Sequence, residues 1–230
     1  MKNRFILLCL CIAVFSCKKK NSQPEEEAPS VQPVIYPQYM PFKAGNYWIY
    51  ERFRVEKDGS SATMSQYDSV YVEKDTVIQA SSWWKIRRFD YIFSQHQILY
   101  LKDSLHYIVQ QNPMGGPRVK FSSQDFQTVW YDDYQIIDDQ VNQIHDTICH
   151  IKTKMDEKDF LVTTKAGAFS TSDMKIEYLM FPKYIPSGIS NLRYMHNRYA
   201  EKVGLVIESE PFFVSADYQT ERRLIRYHLN

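Results

Sequence analysis

The chain has 230 residues and is nearly neutral, with 28 Lys and Arg, 27 Asp and Glu, and a formal net charge of +1 at pH 7. This balance argues against a nucleic-acid partner, because such proteins usually carry a clear basic excess. Aromatic residues are abundant (4 Trp, 17 Tyr and 13 Phe) and glycine is scarce at 7, a composition that favours half-buried strands.

The first predicted element is an export signal over residues 1–16. Lys2 and Arg4 give it a positive start, an apolar run follows over residues 5–15, and the small Ser16 closes it. These three parts are typical of a secretory signal. A membrane-spanning helix needs about 20 apolar residues, and the run is well short of that, so a transmembrane anchor is disfavoured.

The signal leads into Val14-Phe15-Ser16-Cys17, which resembles the lipobox of bacterial lipoproteins. In that family the cysteine is modified with diacylglycerol and becomes the first mature residue. The resemblance implies that Cys17 carries two or three acyl chains, enough for stable anchoring where one chain is not. Phe15 departs from the family pattern, which more often has a small residue there. The alternative is an ordinary cleaved signal with an incidental cysteine.

The cysteine count fits an exported protein without disulfides. Cys9 and Cys11 lie within the signal and Cys17 would carry lipid, which leaves Cys149 as the one free thiol of the mature chain. No intramolecular disulfide is then possible. The exported domain must be stabilised by its core instead.

Residues 17–40 are predicted to be the lipidated cysteine and a tether. This stretch is rich in charge and proline, with Lys18, Lys19, Lys20, Glu25, Glu26, Glu27, Pro24, Pro29, Pro33 and Pro37. Such a composition cannot bury a core and favours extended conformations, which could reach about 70 Å from the bilayer. The folded domain is predicted to occupy residues 41–230.

From residue 41 onwards, strand signals recur with turn signals between them. Predicted strands lie at residues 45–51, 65–72, 83–93, 97–101, 105–111, 126–131, 144–153, 160–164, 174–180, 192–199, 203–208 and 222–229. The strands at 97–101 and 105–111 are expected to form a hairpin, and residues 112–117 a loop. Helical periodicity is weak, and residues 132–144 are the best candidate for a short helix.

Successive short strands with short connections predict a single all-β domain, an antiparallel meander. At this length we expect a strongly curved sheet, a sandwich or a partly closed barrel. Closure would also protect the edge strands.

One short pattern recurs: Asp, then Ser or Thr, then an aliphatic residue. It occurs at Asp68-Ser69-Val70, Asp75-Thr76-Val77, Asp103-Ser104-Leu105 and Asp146-Thr147-Ile148. We favour turn chemistry, in which the Asp hydrogen-bonds nearby backbone before a strand resumes. The pattern also resembles the O-glycosylation site of exported proteins in Bacteroidota-type bacteria. That resemblance implies possible glycan acceptors at Ser69, Thr76, Ser104 and Thr147.

Two further stretches resemble uncharacterised β-rich lipoproteins of Bacteroidota type. Residues 41–50 (PFKAGNYWIY) are similar to the opening of those domains, and residues 199–206 (YAEKVGLV) to their near-terminal strand. The resemblance implies a cell-envelope location and an all-β fold, and it carries no catalytic residues. Gly45 and Gly204 are expected to be structural, at turns or close backbone approaches.

The sequence lacks the phosphate-loop, dinucleotide, His-Glu-x-x-His and Gly-x-Ser-x-Gly signatures of familiar enzymes. Alternation on a strand would pair His145 with Cys149, and Asp146 with His150. Either pair falls short of the three or four ligands of a zinc site. We favour an ordinary strand with a buried thiol, and we predict no cofactor.

Three other groups of side chains are given structural roles. Asp132, Asp133, Asp138 and Asp139 could bind calcium but lack EF-hand spacing, so a solvated loop or helix face is favoured. Arg87, Arg88, Arg222, Arg223 and Arg226 are expected at solvent-facing strand positions. Core packing is expected of Trp48, Trp83, Trp84 and Trp130 rather than stacking on sugars.

These observations predict a lipid-anchored protein of the cell envelope, a non-enzymatic binding or assembly module. Its partner would be the membrane through Cys17, with an envelope protein, a glycan or an apolar ligand. The alternatives are a hydrolase acting on glycans, or a carrier of an apolar ligand in a β-barrel cavity. Lys18 after the lipid cysteine resembles outer-membrane lipoproteins, whereas the periplasmic or surface face is left open.

Overall fold

The computed structural model describes residues 34–92, 94–112, 116–139, 143–185, 190–210 and 218–230. The predicted signal, Cys17 and most of the predicted tether therefore lie outside the described residues. One compact unit runs from Tyr36 to Asn230. Within these ranges, no helix is long and apolar enough to cross a membrane.

The described part of the chain folds almost entirely into strands. They are β1 (Tyr47–Val55), β2 (Ser61–Ile78), β3 (Ser81–Asp90), β4 (Gln95–Ser104), β5 (Tyr107–Gln110), β6 (Arg118–Ser122), β7 (Tyr131–Asp139), β8 (Ile144–Met155), β9 (Phe160–Thr164), β10 (Gly167–Met180), β11 (Leu192–Ala200), β12 (Gly204–Ser209) and β13 (Gln219–His228). One short 3-10 helix, η1 (Pro182–Tyr184), follows β10.

All these strands form one antiparallel sheet. Its hydrogen-bonded order is β6-β5-β4-β3-β2-β1-β13-β12-β11-β10-β8-β7, and β9 pairs with β10 beside this path. β1 pairs with β2 on one side and with β13 on the other, so the first and last strands are neighbours. On one flank β1 to β6 follow one another as antiparallel hairpins, and on the other β10 to β13 do, whereas β10 also pairs with β8, which does not precede it directly.

The sheet curves strongly and encloses its core. Phe121 of β6 lies 4.6 Å from Tyr199 of β11 between ring centroids, although many strands separate β6 from β11 along the sheet. Among the described strands, β6 and β7 are the two ends of the path, which does not close on itself. The predictions of an all-β, antiparallel and strongly curved sheet are confirmed.

Two local predictions are wrong. Residues 132–144 do not form a helix, because β7 pairs with β8 from Tyr131 opposite Thr153 to Asp139 opposite Ile144. The acidic residues there suit a strand at the end of a sheet, where charge discourages further pairing. Residues 126–131 are not a strand either, since Asp125 Oδ1 accepts the backbone N–H groups of Gln127 and Thr128 and holds a turn.

The main core contains Trp48 and Tyr50 of β1, both almost fully buried. Trp48 Nε1 donates a hydrogen bond of 2.6 Å to the Val203 carbonyl, so its one polar atom is satisfied. Tyr39 and Met40 are buried in the same core, so folded structure already begins within the stretch predicted as the tether.

Gly204 allows a close approach at the turn before β12. Its φ is +104°, and a Cβ there would lie 2.9 Å from Met40 Sδ and 3.4 Å from Trp48 Nε1. Glycine is therefore required by both its conformation and its surroundings.

Candidate functional site

Several charged side chains point into the core rather than into solvent. They are Arg52, Asp68, Arg88, Asp90, Glu208, Glu210 and Arg222, called the charge cluster below. Arg52, Asp68 and Arg222 are each at most 2 % exposed. Burying a charge is costly unless it is paired and hydrogen-bonded, so the geometry of these pairs decides whether the cluster is stable.

Arg52 is the centre of the cluster. Its Nε lies 2.8 Å from Asp68 Oδ2, and its Nη2 lies 3.1 Å from both Asp68 Oδ1 and Asp90 Oδ1. Its Nη1 lies 3.3 Å from Glu210 Oε2. One guanidinium thus joins β1, β2, β3 and the end of β12. Asp68 Oδ1 also accepts the Tyr91 N–H at 2.7 Å.

Arg88 and Arg222 form the second part of the cluster. Arg88 lies 3.4 Å from Glu208, 3.5 Å from Glu210 and 3.7 Å from Asp90. Arg222 pairs closely with Glu208 and lies 3.9 Å from Glu210. Burial raises the pKa of the Glu210 carboxyl, against the opposing effect of Arg52 and Arg88.

An inner cavity of about 240 Å³ lies next to this cluster, inside the curve of the sheet. Its walls come from both flanks of the sheet and from the segment before β1. They are Met40, Tyr50, Val70, Ile86, Arg88, Gln97, Leu99, Leu101, Ile108, Gln110, Lys120, Tyr199, Leu205, Glu208 and Arg222. Most of these side chains are apolar or aromatic, with a few polar and charged groups among them, the composition typical of small-ligand sites.

Lys120 reaches the cavity because of a β-bulge. Ile108 of β5 pairs with Phe121 of β6, and Val109 pairs with Val119, so Lys120 has no residue opposite. In a regular strand, Lys120 would point to the opposite face from its neighbour Phe121, which is buried. The extra residue breaks this alternation, so that both side chains point inward. Bulges commonly re-aim a side chain beside a functional site.

The ammonium of Lys120 has no acceptor of its own. No hydrogen bond or ion pair joins it to another of the described residues. Burial lowers the pKa of Lys120, and the neighbouring positive charges of Arg88 and Arg118 lower it further. The side chain is half-buried and lines the cavity. An unpaired, partly desolvated cation in this position is poised to take an acceptor from a ligand.

Two tyrosines complete the polar side of the cavity. Tyr50 donates a hydrogen bond of 2.9 Å to the Leu205 carbonyl, and the Arg222 guanidinium lies 5.0 Å from the Tyr50 ring centroid. Burial raises the pKa of both Tyr50 and Tyr199, so both hydroxyls stay protonated. No hydrogen bond connects the Tyr199 hydroxyl to the rest of the described chain, which leaves it available as a donor.

The acids in and beside the inner cavity are engaged in ion pairs. Glycoside hydrolysis uses two carboxyl groups that face each other across the bond to be cleaved. Here Glu208 is the acid that lines the cavity, and it is paired with Arg222 and Arg88. Asp68 and Asp90 point away to Arg52.

The metal-capable side chains of β8 are not brought together. Cys149 pairs with Gln135 and Thr147 with Ile136, so Ile148 is an extra residue and the expected alternation fails. Cys149 is fully buried, whereas the His145 side chain is 72 % exposed and 3.7 Å from Asp138. His150 bonds to Asp132 and stacks on Tyr134 at 4.6 Å. No group of three or more candidate ligands occurs among the described residues.

The possible glycan acceptors lie on strands and are partly exposed: Ser69 and Thr76 on β2, Ser104 at the end of β4 and Thr147 on β8. Asp68 and Asp75 stand inside β2 and not at a turn, so turn chemistry does not explain them. Asp146 does accept the Thr147 N–H at 2.8 Å, as the pattern suggests.

The expected solvent-facing position is wrong for two of the five arginines. Arg222 is buried in the charge cluster and the Arg88 side chain there is only 16 % exposed, whereas Arg87 and Arg226 are exposed. The reason is strand alternation: Arg88 stands two residues after the buried Ile86, and Arg222 stands two before the buried Leu224.

No protein-family model matches the chain, and no curated protein matches it. The solved structures similar to it include a predicted lipoprotein from Parabacteroides distasonis, at 14% identity and TM-score 0.48, over 85% of this chain and 100% of that one. A predicted exported protein with a YmcC-like fold from Bacteroides fragilis has 13% identity and TM-score 0.46, over 84% of this chain and 100% of that one. Likenesses at this level support no conclusion about the activity of this chain.

Proposed function

We propose that this protein is a lipid-anchored binding protein of the cell envelope that holds a small ligand in its inner cavity. The observation that carries the proposal is the cavity itself, about 240 Å³ in volume and walled by both flanks of the sheet. Ligand sites are concave, mostly apolar and contain a few well-placed polar groups. This volume lies below the range of about 300 to 1,000 Å³ that is typical of sites for drug-sized ligands, so the ligand is small.

The charge cluster gives the cavity a rigid wall. Arg52 fixes Asp68, Asp90 and Glu210, and each of these partners lies on or beside a different strand. Such a network keeps the side chains next to the cavity in one arrangement without a ligand. A preformed site loses less conformational entropy on binding than one that must be ordered.

The envelope location rests on the sequence of the signal. Val14-Phe15-Ser16-Cys17 and the charged, proline-rich stretch before the buried Tyr39 support a lipid on Cys17 and a tether. We propose delivery to the outer membrane from Lys18 at the position after the lipid cysteine. The lipid on Cys17 would keep the binding domain at the membrane surface, where we propose that it meets its ligand.

Native mass spectrometry of the protein purified from its own envelope tests the binding function. We expect one small molecule per chain, and we expect Leu99→Trp, which fills the cavity, to lose it. Ile98→Trp is the matched control, since Ile98 is on the same strand and 41 % exposed. A native protein with no bound molecule, or equal retention by both variants, would refute the cavity as a binding site.

Membrane partitioning and intact mass test the anchor. Cys17→Ser should move the protein from the membrane fraction to the soluble fraction, because the acyl chains that hold it are absent. The intact mass of the native protein should show the added acyl chains. The same spectrum tests whether Ser69, Thr76, Ser104 and Thr147 carry glycans. The absence of any added hexose mass would exclude glycosylation. Unchanged partitioning of Cys17→Ser would show that the lipid is not the anchor.

A further inference from the structure

We infer that the inner cavity binds small organic monoanions, carboxylates with an apolar body, with the negative group beside Lys120. This inference rests on the proposed binding function and names the chemical class of its ligand. Four features of the cavity support this ligand class: its free polar groups, the charge beside it, its volume and the apolar side chains around it.

Two of the free polar groups of the cavity are donors, and the lining amides of Gln97 and Gln110 offer both donors and acceptors. The Lys120 ammonium and the Tyr199 hydroxyl have no partner among the described residues, and both side chains line the cavity. The lining acid, Glu208, is already occupied by Arg88 and Arg222. A ligand that completes this set must supply acceptors, and a carboxylate supplies several.

The charge next to the cavity favours an anion over a neutral acceptor. Lys120, Arg88 and Arg222 all line it, against the single carboxylate of Glu208. The remaining acids of the charge cluster, Asp68, Asp90 and Glu210, all contact Arg52 and do not line the cavity. A hydrogen bond from a cation to an anion is about twice as strong as one between neutral groups.

The volume sets the size of the ligand. A cavity of about 150 Å³ takes up benzene, so roughly 25 Å³ holds one non-hydrogen atom. The inner cavity of about 240 Å³ then admits about ten such atoms. A medium-chain or aromatic acid fits this size, whereas the acyl chain of a membrane lipid exceeds it.

The apolar end of the ligand would lie against side chains of three strands. Val70 of β2, Ile86 of β3 and Leu99 of β4 all face the cavity. Val70 and Ile86 are buried in the main core. Displacing water from such a surface favours binding of a hydrocarbon body.

Isothermal titration calorimetry with defined probes tests the inference. The protein is the full chain with Cys17→Ser, so that no acyl chain of its own competes for the cavity. The probes are octanoate, octan-1-ol, octylamine and palmitate. We expect octanoate to bind about tenfold or more tightly than octan-1-ol, as a charge-assisted hydrogen bond predicts. We expect octylamine to show no binding, and palmitate to bind more weakly than octanoate.

Lys120→Met removes the charge and keeps the length of the side chain. It should weaken octanoate binding about tenfold and leave octan-1-ol binding unchanged. Lys158→Met is the matched control, because Lys158 is exposed in the turn between β8 and β9. Circular dichroism of both variants shows whether they fold as the parent chain does.

The results separate the ligand class from the binding function. Equal affinity for octanoate and octan-1-ol, or an unchanged octanoate affinity in Lys120→Met, overturns the anion inference. Palmitate binding as tightly as octanoate would overturn the inference that the cavity admits only small ligands. If no probe binds, the anion inference also fails, whereas a molecule retained in native mass spectrometry and lost in Leu99→Trp would uphold the binding function.

Discussion

Replacing Arg52 with methionine keeps most of the side-chain volume and removes one charge from the centre of the charge cluster. Three carboxylates, those of Asp68, Asp90 and Glu210, then lose their closest cation. Arg52 is 0 % exposed, so water cannot replace it without a change in structure. The variant therefore tests whether the cluster stabilises the fold by the pairing seen here.

The expected loss of stability is large. Breaking a buried ion pair by removing one partner costs about 3–5 kcal/mol. Because three carboxylates are affected, we expect about 4 kcal/mol or more for Arg52→Met. With roughly 2–4 °C per kcal/mol for a domain of this size, Tm should fall by roughly 10 °C. Arg54→Met is the matched control on the same strand, since the Arg54 side chain is 50 % exposed and its pair with Glu56 contributes about 1 kcal/mol at most.

The loss should depend on pH with a definite sign. Burial raises the pKa of Glu210, and Arg52 opposes that effect, so Arg52→Met should raise the pKa further. An acid with a raised folded-state pKa contributes stability below its unfolded pKa, and this is lost as pH rises through the folded value. The deficit of Arg52→Met should therefore be smaller at pH 5 than at pH 7.

Urea unfolding followed by tryptophan fluorescence measures these differences in the free energy of unfolding at both pH values. An Arg52→Met deficit below about 1 kcal/mol, or one equal to that of Arg54→Met, would refute the stabilising role of the cluster. A deficit that grows from pH 7 to pH 5 would refute the part assigned to Glu210.

Three more predictions follow from single side chains. Cys149 is fully buried and burial raises its pKa, so iodoacetamide at pH 8 should label it only in urea; rapid labelling of the native protein would contradict this. Lys183 and Tyr184 lower the pKa of Asp146 from its ordinary value to about 2, so its contribution to stability is lost progressively as pH falls from the ordinary value through the lowered one; Lys183→Ala should raise the pKa in a carboxyl NMR titration, and an unchanged pKa would exclude Lys183 as the cause. Gly204→Ala should cost about 1–3 kcal/mol in urea unfolding, more than Gly59→Ala, which has φ of +81° but open space around it; equal costs would rule out the contact with Met40.

Much of the fold could be predicted from alternation and turn signals. The predicted strand at residues 160–164 coincides with β9 (Phe160–Thr164), and the hairpin at residues 97–111 forms from β4 and β5. Residues 132–139 form a strand instead of the short helix for which residues 132–144 are the best candidate by periodicity. Their pairing with β8 is a tertiary effect that the local sequence does not contain.

The inner cavity and the charge cluster could be predicted only in part. Arg52 stands two residues after the buried Tyr50, and Asp68 stands two before the buried Val70, so period-two alternation places both on the inner face. That signal was available in the sequence. The bulge that turns Lys120 inward was not, because it depends on how β5 and β6 pair.

The pairing of β1 with β13 has a consequence for how the chain folds. Tyr47 lies opposite His228, so this contact forms only after nearly the whole chain is available. Contacts between residues so distant in sequence form slowly. Until then, one edge of β1 is unpaired, and an unpaired strand edge favours aggregation. Arg222 is also not yet in place beside Arg88. The last strand to form therefore completes both the sheet and the cavity wall, and ligand binding would report that folding is finished.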